Sequence, residues 1–154
     1  MEKFIEKITE SERIIKTADH MIYMVFPMIK DKRILLKSLS EIKKAVVNCI
    51  TIILQYEYVH KRINLHKNPQ ANFKTFVEKC ATRYEITEDE IKAIIELFDL
   101  VEKHKKSSME FIKDDKIIIL SDRMKPETLT LERTKNFLEV SKNILRKTNN
   151  ISQL

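Results

Sequence analysis

The chain has 154 residues, 43% of them apolar and 34% charged, with a formal net charge of +6, a balance too apolar for a disordered chain and too charged for a membrane protein. It contains no glycine, where an average chain of this length would hold about ten. That excludes a P-loop, a dinucleotide fingerprint and a nucleophile elbow, each of which needs backbone at positive φ or in close approach to phosphate, so no nucleotide cofactor is expected.

Phe4, Ile5, Ile8, Ile15, Ala18, Ile22 and Val25 recur at steps of three, four and seven, which predicts a first helix to about Phe26, bent or ended by Pro27. After the polar segment 30–33, Leu35, Leu39, Ile42, Val46, Ile50 and Ile53 carry a long second helix to about Arg62. Its middle, AVVNCITIIL, is apolar nearly all round and predicts a helix through the centre of the molecule. Residues 64–72, with Pro69, read as a loop, and 73–84 as a short third helix turning Phe73, Phe76, Val77 and Cys80 inward. Thr87 and Glu90 form a capping box that starts a fourth helix, with Ile91, Ile94, Ile95, Phe98 and Val101 on one stripe, to about Lys106.

The run Lys116-Ile117-Ile118-Ile119-Leu120 is short, β-branched and bounded by acidic turns, so it predicts a strand, with 127–129 as its partner. Thr130 then caps a last helix whose rows Leu131/Leu138/Leu145 and Phe137/Ile144/Ile151 make a broad apolar face, with its final few residues frayed. The whole predicts one all-α domain over 1–154: an up-and-down bundle of four to five helices with a small β-hairpin at about 116–129 before the last helix. Helices without glycine caps must be stopped by asparagine, lysine or long polar loops. The mixed-charge N-terminus is unlike a signal peptide, and no apolar stretch reaches the ~18 residues of a membrane span, so a cytoplasmic protein is expected.

Basic residues crowd two helix ends: His60, Lys61, Arg62, His66 and Lys67 after the second helix, and Lys103, His104, Lys105 and Lys106 closing the fourth. Strict alternation makes those helices parallel and puts both ends at one pole. Cations at a helix C-terminus complement its dipole, but one or two suffice. Nine at one pole point to an anionic partner, with Tyr56 and Tyr58 near enough to stack. Arg13 and His20 lie seven residues apart on nearly one face of the first helix, with Thr17 between them, a pair able to hold a phosphate and move a proton or to form an ordinary polar patch. Met21, Met24 and Met28 mark an apolar face suited to a partner helix or a second copy. Glu57-Tyr58-Val59-His60 has di-metal spacing, but no second Glu-x-x-His completes such a site, so no metal is expected. Cys49 and Cys80 lack zinc spacing and read as buried thiols.

The helical arrangement with Arg13-x6-His20 resembles the HEPN superfamily of all-helical domains, many of which bind or cleave RNA and pair as dimers. The resemblance covers about 1–110. It implies an arginine followed after four to six residues by histidine on a later helix, where this chain has Asp99-Leu100-Val101-Glu102-Lys103-His104, a histidine without its arginine. A copy degenerate there implies binding or assembly rather than catalysis. The leading expectation is therefore a non-catalytic module for RNA or a ribonucleoprotein through the basic pole. The alternatives are a homodimeric interaction module and a metal-independent endoribonuclease using Arg13 and His20.

Overall fold

The computed structural model describes residues 2–107, 109–120 and 125–153, with backbone alone for 152–153. Four long helices form the bundle. The first is α1 (Glu2–His20) continued through a π-helical turn (Met21–Val25) into α2 (Phe26–Ile29); the others are α3 (Arg33–Val59), α5 (Glu88–Lys105) and α6 (Leu131–Asn149). Pro27 does not end the first helix. It has no N–H to give the Tyr23 carbonyl and its ring crowds that carbonyl, and the turn before it widens until the Phe26 amide bonds to the Met21 carbonyl. The helix then closes at Lys30.

α3 is the central beam, packed against α1, α5 and α6. All six of its predicted inward residues are buried, as are Ala45, Cys49, Ile52 and Leu54 around them. The opposed stripes on the neighbours are Ile8, Ile14, Ile15, Ala18 and Ile22 of the first helix, Ile94, Leu97, Leu100 and Val101 of α5, and Phe137, Leu138 and Ile144 of α6. Ile5 and Ile95, expected on those stripes, are exposed. The buried hydroxyls of Ser38, Thr134, Ser141 and Thr148 each donate to a carbonyl one turn earlier in their own helix, so they reach the core with no donor unmet. The C-terminus is not frayed through residue 151: a 3-10 turn (Asn150–Gln153) seats Ile151 in the core.

Side-chain contacts fix the helix directions. Phe4 meets Tyr56 and Lys7 bonds to Gln55, so α1 opposes α3; Asp19 pairs with Lys142 while Tyr23 lies under Lys135, so α1 opposes α6. Glu90 bonds to Lys147 while Glu96 faces Arg133, so α5 opposes α6. At one end of α3 Arg83 pairs with Glu57, and nearer its start Lys43 lies over the Phe98 ring while Lys105 lies beside Ser40 and Lys44. Hence α5 also opposes α3, and the bundle is up-down-up-down.

The short third element begins earlier than its apolar pattern suggests. Asn68 caps α4 (Pro69–Thr75) by accepting the amides of Gln70 and Ala71, with Pro69 preset at the first position, and a second π turn (Phe76–Cys80) completes it. Pro69, Asn72 and Phe73 line a groove with Val47, Ile50 and Leu54, in the second half of α3. The chain between α3 and α4 therefore doubles back along α3, and α4 returns it to the Glu57 end before α5 starts.

The predicted hairpin is two strands of a three-stranded antiparallel sheet. β2 (Lys116–Leu120) pairs with the expected partner segment, β3 (Pro126–Leu129), with Ile119 opposite Glu127, and β1 (Met109–Lys113) adds an edge on the other side of β2. Ile117, Ile119 and Leu129 face the bundle and are buried.

Without glycine, the turns borrow other residues. Lys30, Lys61, Glu85 and Asp114 all have φ between 56° and 60°. Lys61 and Glu85 each sit in a six-to-one helix stop, Arg62 N–H to the Glu57 carbonyl and Ile86 N–H to the Ala81 carbonyl. A side chain in that region costs roughly 1–2 kcal/mol relative to right-handed backbone. Lys30→Gly and Glu85→Gly are each expected to raise unfolding free energy by about 0.5–1 kcal/mol, the relief of that strain less the added flexibility of the unfolded chain. Urea denaturation measures it, and a loss of stability in either variant would contradict the assignment.

Candidate functional site

The basic residues after α3 are largely occupied in ending the helix. Lys61 makes the left-handed stop, and Arg62, brought back by it, places its guanidinium 2.6 Å from Oε2 of Glu57. Arg83 takes the other oxygen at 2.8 Å. Glu57 is 1% exposed, so these two arginines are its solvent. The His60 ring packs against Tyr56, tilted, at 4.2 Å between ring centres. The His66 amide donates to Asn72 and its carbonyl accepts from the same side chain, a clamp on the returning loop. Lys67 is exposed.

The basic residues closing α5 are also partnered. Lys103 pairs with Asp99 and Glu127, His104 Nδ1 lies 2.6 Å from Glu110 on β1, and Lys106 pairs with Glu102. Lys105 instead lines a groove with Ser40, Lys43, Lys44, Asn48 and Val101, about 340 Å³ in volume.

The single pole expected from strict alternation is not formed. Residues 60–67 follow the C-terminal end of α3, whereas Lys105 lies beside Lys44, sixteen residues earlier and about 24 Å away at the rise of an α-helix. The cause is the doubled-back loop: it makes the traverse that alternation assigned to the third helix, so α5 opposes α3. What α5's basic end meets is Lys43 and Lys44, which sequence reasoning passed over. Their adjacency, with Lys44 seven residues after Lys37 on one exposed stripe, is the available signal.

Arg13 and His20 do share a surface depression, lined also by Thr9, Glu12, Lys16 and Thr17. Every lining residue is from α1, and both Arg13 and His20 are exposed, so no second element closes over them. Glu57 and His60 do not converge, since the carboxylate is held by arginines and the imidazole by Tyr56. Among the described residues no three His, Cys, Asp or Glu side chains cluster to hold a metal. Cys49 and Cys80 are buried, and desolvation pushes their thiols up to about 12 and about 11, far from a reactive thiolate. Among the described residues no helix is long and apolar enough to cross a membrane.

The remaining feature lies where the first helix turns into α3. Met28 is 82% exposed, Ile29 63% and Met24 56%, while Met21 is only partly so. The sheet stands at the same end: Lys32 donates to the Asp114 carbonyl, and Lys32, Arg33 and Leu36 line a groove with Glu110, Phe111, Ile112 and Ile117. Met109, Phe111 and Ile112 of β1 are exposed too. Seven of the thirteen large apolar side chains left exposed among the described residues thus belong to 23–29 and 109–112. The β1 members escaped sequence reading because their strand did.

Comparison with protein-family models, with curated proteins and with solved structures returns no match. The likeness to HEPN domains therefore rests on helical arrangement and the Arg13–His20 spacing alone.

Because Glu57 is buried and both arginines are partly exposed, either arginine alone compensates much of its charge. Arg62→Met and Arg83→Met are expected to be mild singly. Together they should cost about 3 kcal/mol or more, since an unpaired buried carboxylate remains. Denaturant titration of the four-member cycle checks this, and simple additivity would contradict the clamp.

Proposed function

We propose that this chain is a homo-oligomeric protein–protein interaction module whose contact surface is the apolar end of the bundle where α2 and the sheet meet. The observation that carries the reading is that exposed Met24, Met28 and Ile29 and exposed Met109, Phe111 and Ile112 fall at the same end of the bundle, where Lys32 and Arg33 meet the sheet. Isolated exposed apolar residues are ordinary on a protein surface, whereas their concentration at one end is not. Methionine adds adaptability, because an unbranched thioether side chain repacks against a partner with little strain. The helix supports the tip rigidly: α2 is capped by left-handed Lys30, and α3 restarts at Arg33, leaving no long flexible loop there.

Light scattering over a dilution series tests the proposal. The wild-type chain is expected to show a mass above the monomer that falls on dilution. Met28→Asp, at a position 82% exposed and therefore neutral to folding, should shift the midpoint at least tenfold toward higher concentration. A monomer at all concentrations, or a Met28→Asp variant that associates normally, would remove the basis for this surface.

A second reading keeps the anionic partner but moves it. Lys43, Lys44 and Lys105 come from two helices to line one groove, with Ser40 and Asn48 as neutral donors. Single-stranded RNA tracking this groove would bind through phosphates and weaken steeply with salt. Lys44→Glu with Lys105→Glu is expected to lower affinity at low salt at least tenfold, whereas Lys61→Glu with Lys67→Glu should change it little. Equal effects of the two pairs in a filter-binding or anisotropy assay would contradict the assignment to the groove.

A further inference from the structure

β1 is an edge strand whose pairing with β2 fixes which of its backbone groups are free. Lys113 and Lys116 flank the two-residue turn Asp114-Asp115, and such a turn closes on a hydrogen-bonded pair. Alternation then directs the amides and carbonyls of Lys113, Phe111 and Met109 to β2 and those of Glu110 and Ile112 outward. All five residues of β1 are exposed, so no helix covers the strand, and Glu110, Phe111 and Ile112 line an open groove of about 150 Å³ with Lys32, Arg33 and Leu36 at the start of α3.

Monomeric proteins guard such an edge with charge, proline or a bulge. Here the guard in the middle of the strand is withdrawn. The Glu110 carboxylate is turned to His104 at 2.6 Å, and the strand residues around it are Met109, Phe111 and Ile112. What the centre of the edge presents is outward hydrogen-bonding backbone flanked by apolar side chains.

We propose that β1 pairs antiparallel with β1 of a second copy about a two-fold axis through Phe111, joining two three-stranded sheets into one of six. This rests on the interaction-module reading above and specifies its partner and geometry. A two-fold perpendicular to the sheet keeps each face on its own side, and the outward residues must hydrogen-bond to one another. Three registers satisfy both conditions near the strand centre: Glu110 opposite Glu110, opposite Asp114, or opposite Ile112 of the second copy. The first two set carboxyl groups directly across from each other, which is repulsive. The third has no like-charge pair. It makes Glu110–Ile112 bonds on both sides of a Phe111–Phe111 contact, and it lays the Lys113 stem across Met109. Charge complementarity thus selects one register, and that register is self-complementary.

The test uses the full chain. The Ile112 amide points away from β2, so Ile112→Pro removes a donor the hairpin does not use while blocking an added strand. It is expected to be monomeric at concentrations where wild type is dimeric, with unchanged far-ultraviolet circular dichroism. Phe111→Cys gives an independent readout. Directly opposite non-hydrogen-bonded residues lie close enough for a disulfide, so mild oxidation should convert most of the protein to a covalent dimer, while Cys49 and Cys80 stay buried. An Ile112→Pro variant that still dimerises, or Phe111→Cys that does not cross-link while wild type is dimeric, overturns the proposal. If that dimer is nevertheless lost in Met28→Asp, the interaction-module reading stands and only the strand pairing falls. Loss in Ile112→Pro without loss in Met28→Asp would leave the pairing standing and remove α2 from the contact. A wild-type monomer at every concentration overturns both.

Discussion

The direction in which α5 crosses α3 decides which side chains of this protein share a surface. That direction follows from how α3 stops. Lys61 takes the left-handed conformation, Arg62 is swung back onto Glu57, and Arg83 reaches the same carboxylate from the far end of the α4 excursion. One buried acid therefore ties the end of α3 to the approach to α5. With that tie made and the loop doubled back, α5 starts at the Glu57 end and runs back along α3, and its basic end arrives beside Lys43 and Lys44 instead of beside His60 and Lys61. A cluster of positive residues that looks functional in sequence is, on the α3 side, mostly the apparatus of a helix stop in a chain without glycine.

The same topology gathers apolar surface. The turn from α2 to α3, the end of α5, the sheet and the start of α6 all lie at one end of the bundle. The core beneath them is complete: Ile22, Leu35, Leu39, Ile117, Ile119 and Leu129 are buried there. The exposed methionines, Phe111 and Ile112 are therefore surplus to folding, which is why they bear on association and not on stability. The lysines and arginine nearby are partly neutralised by Asp31, Glu102 and Glu127, so they pose little electrostatic obstacle to bringing two such ends together.

Much of the fold was legible because its signals are local. The inward residues of α3 recur with helical period, Thr87 and Glu90 make the capping box they announce, and Thr130 caps α6 through the Arg133 amide. Three features were not local. Pro27 reads as a bend or a stop, and a widened turn accommodates it within a helix whose inner face is well packed. β1 is hidden because Asp114 supplies the positive φ that an Asn-Gly or Gly-containing turn would have advertised. The path of residues 60–68 depends on contacts between Leu65, Pro69 and the side of α3 that no short window contains. The candidate surfaces inherit these limits: Met24 and Met28 were legible as an apolar stripe, while Lys43, Lys44, Phe111 and Ile112 gained meaning only from what tertiary structure set beside them.

Hydrogen–deuterium exchange followed as protein concentration is raised addresses the account most directly, because it reports every backbone segment at once. Slower exchange at residues 109–113 and 24–30, with residues 60–67 unchanged, is the pattern expected if the sheet end is where copies meet. Protection that appears at 60–67, or exchange that is independent of concentration throughout, would contradict it.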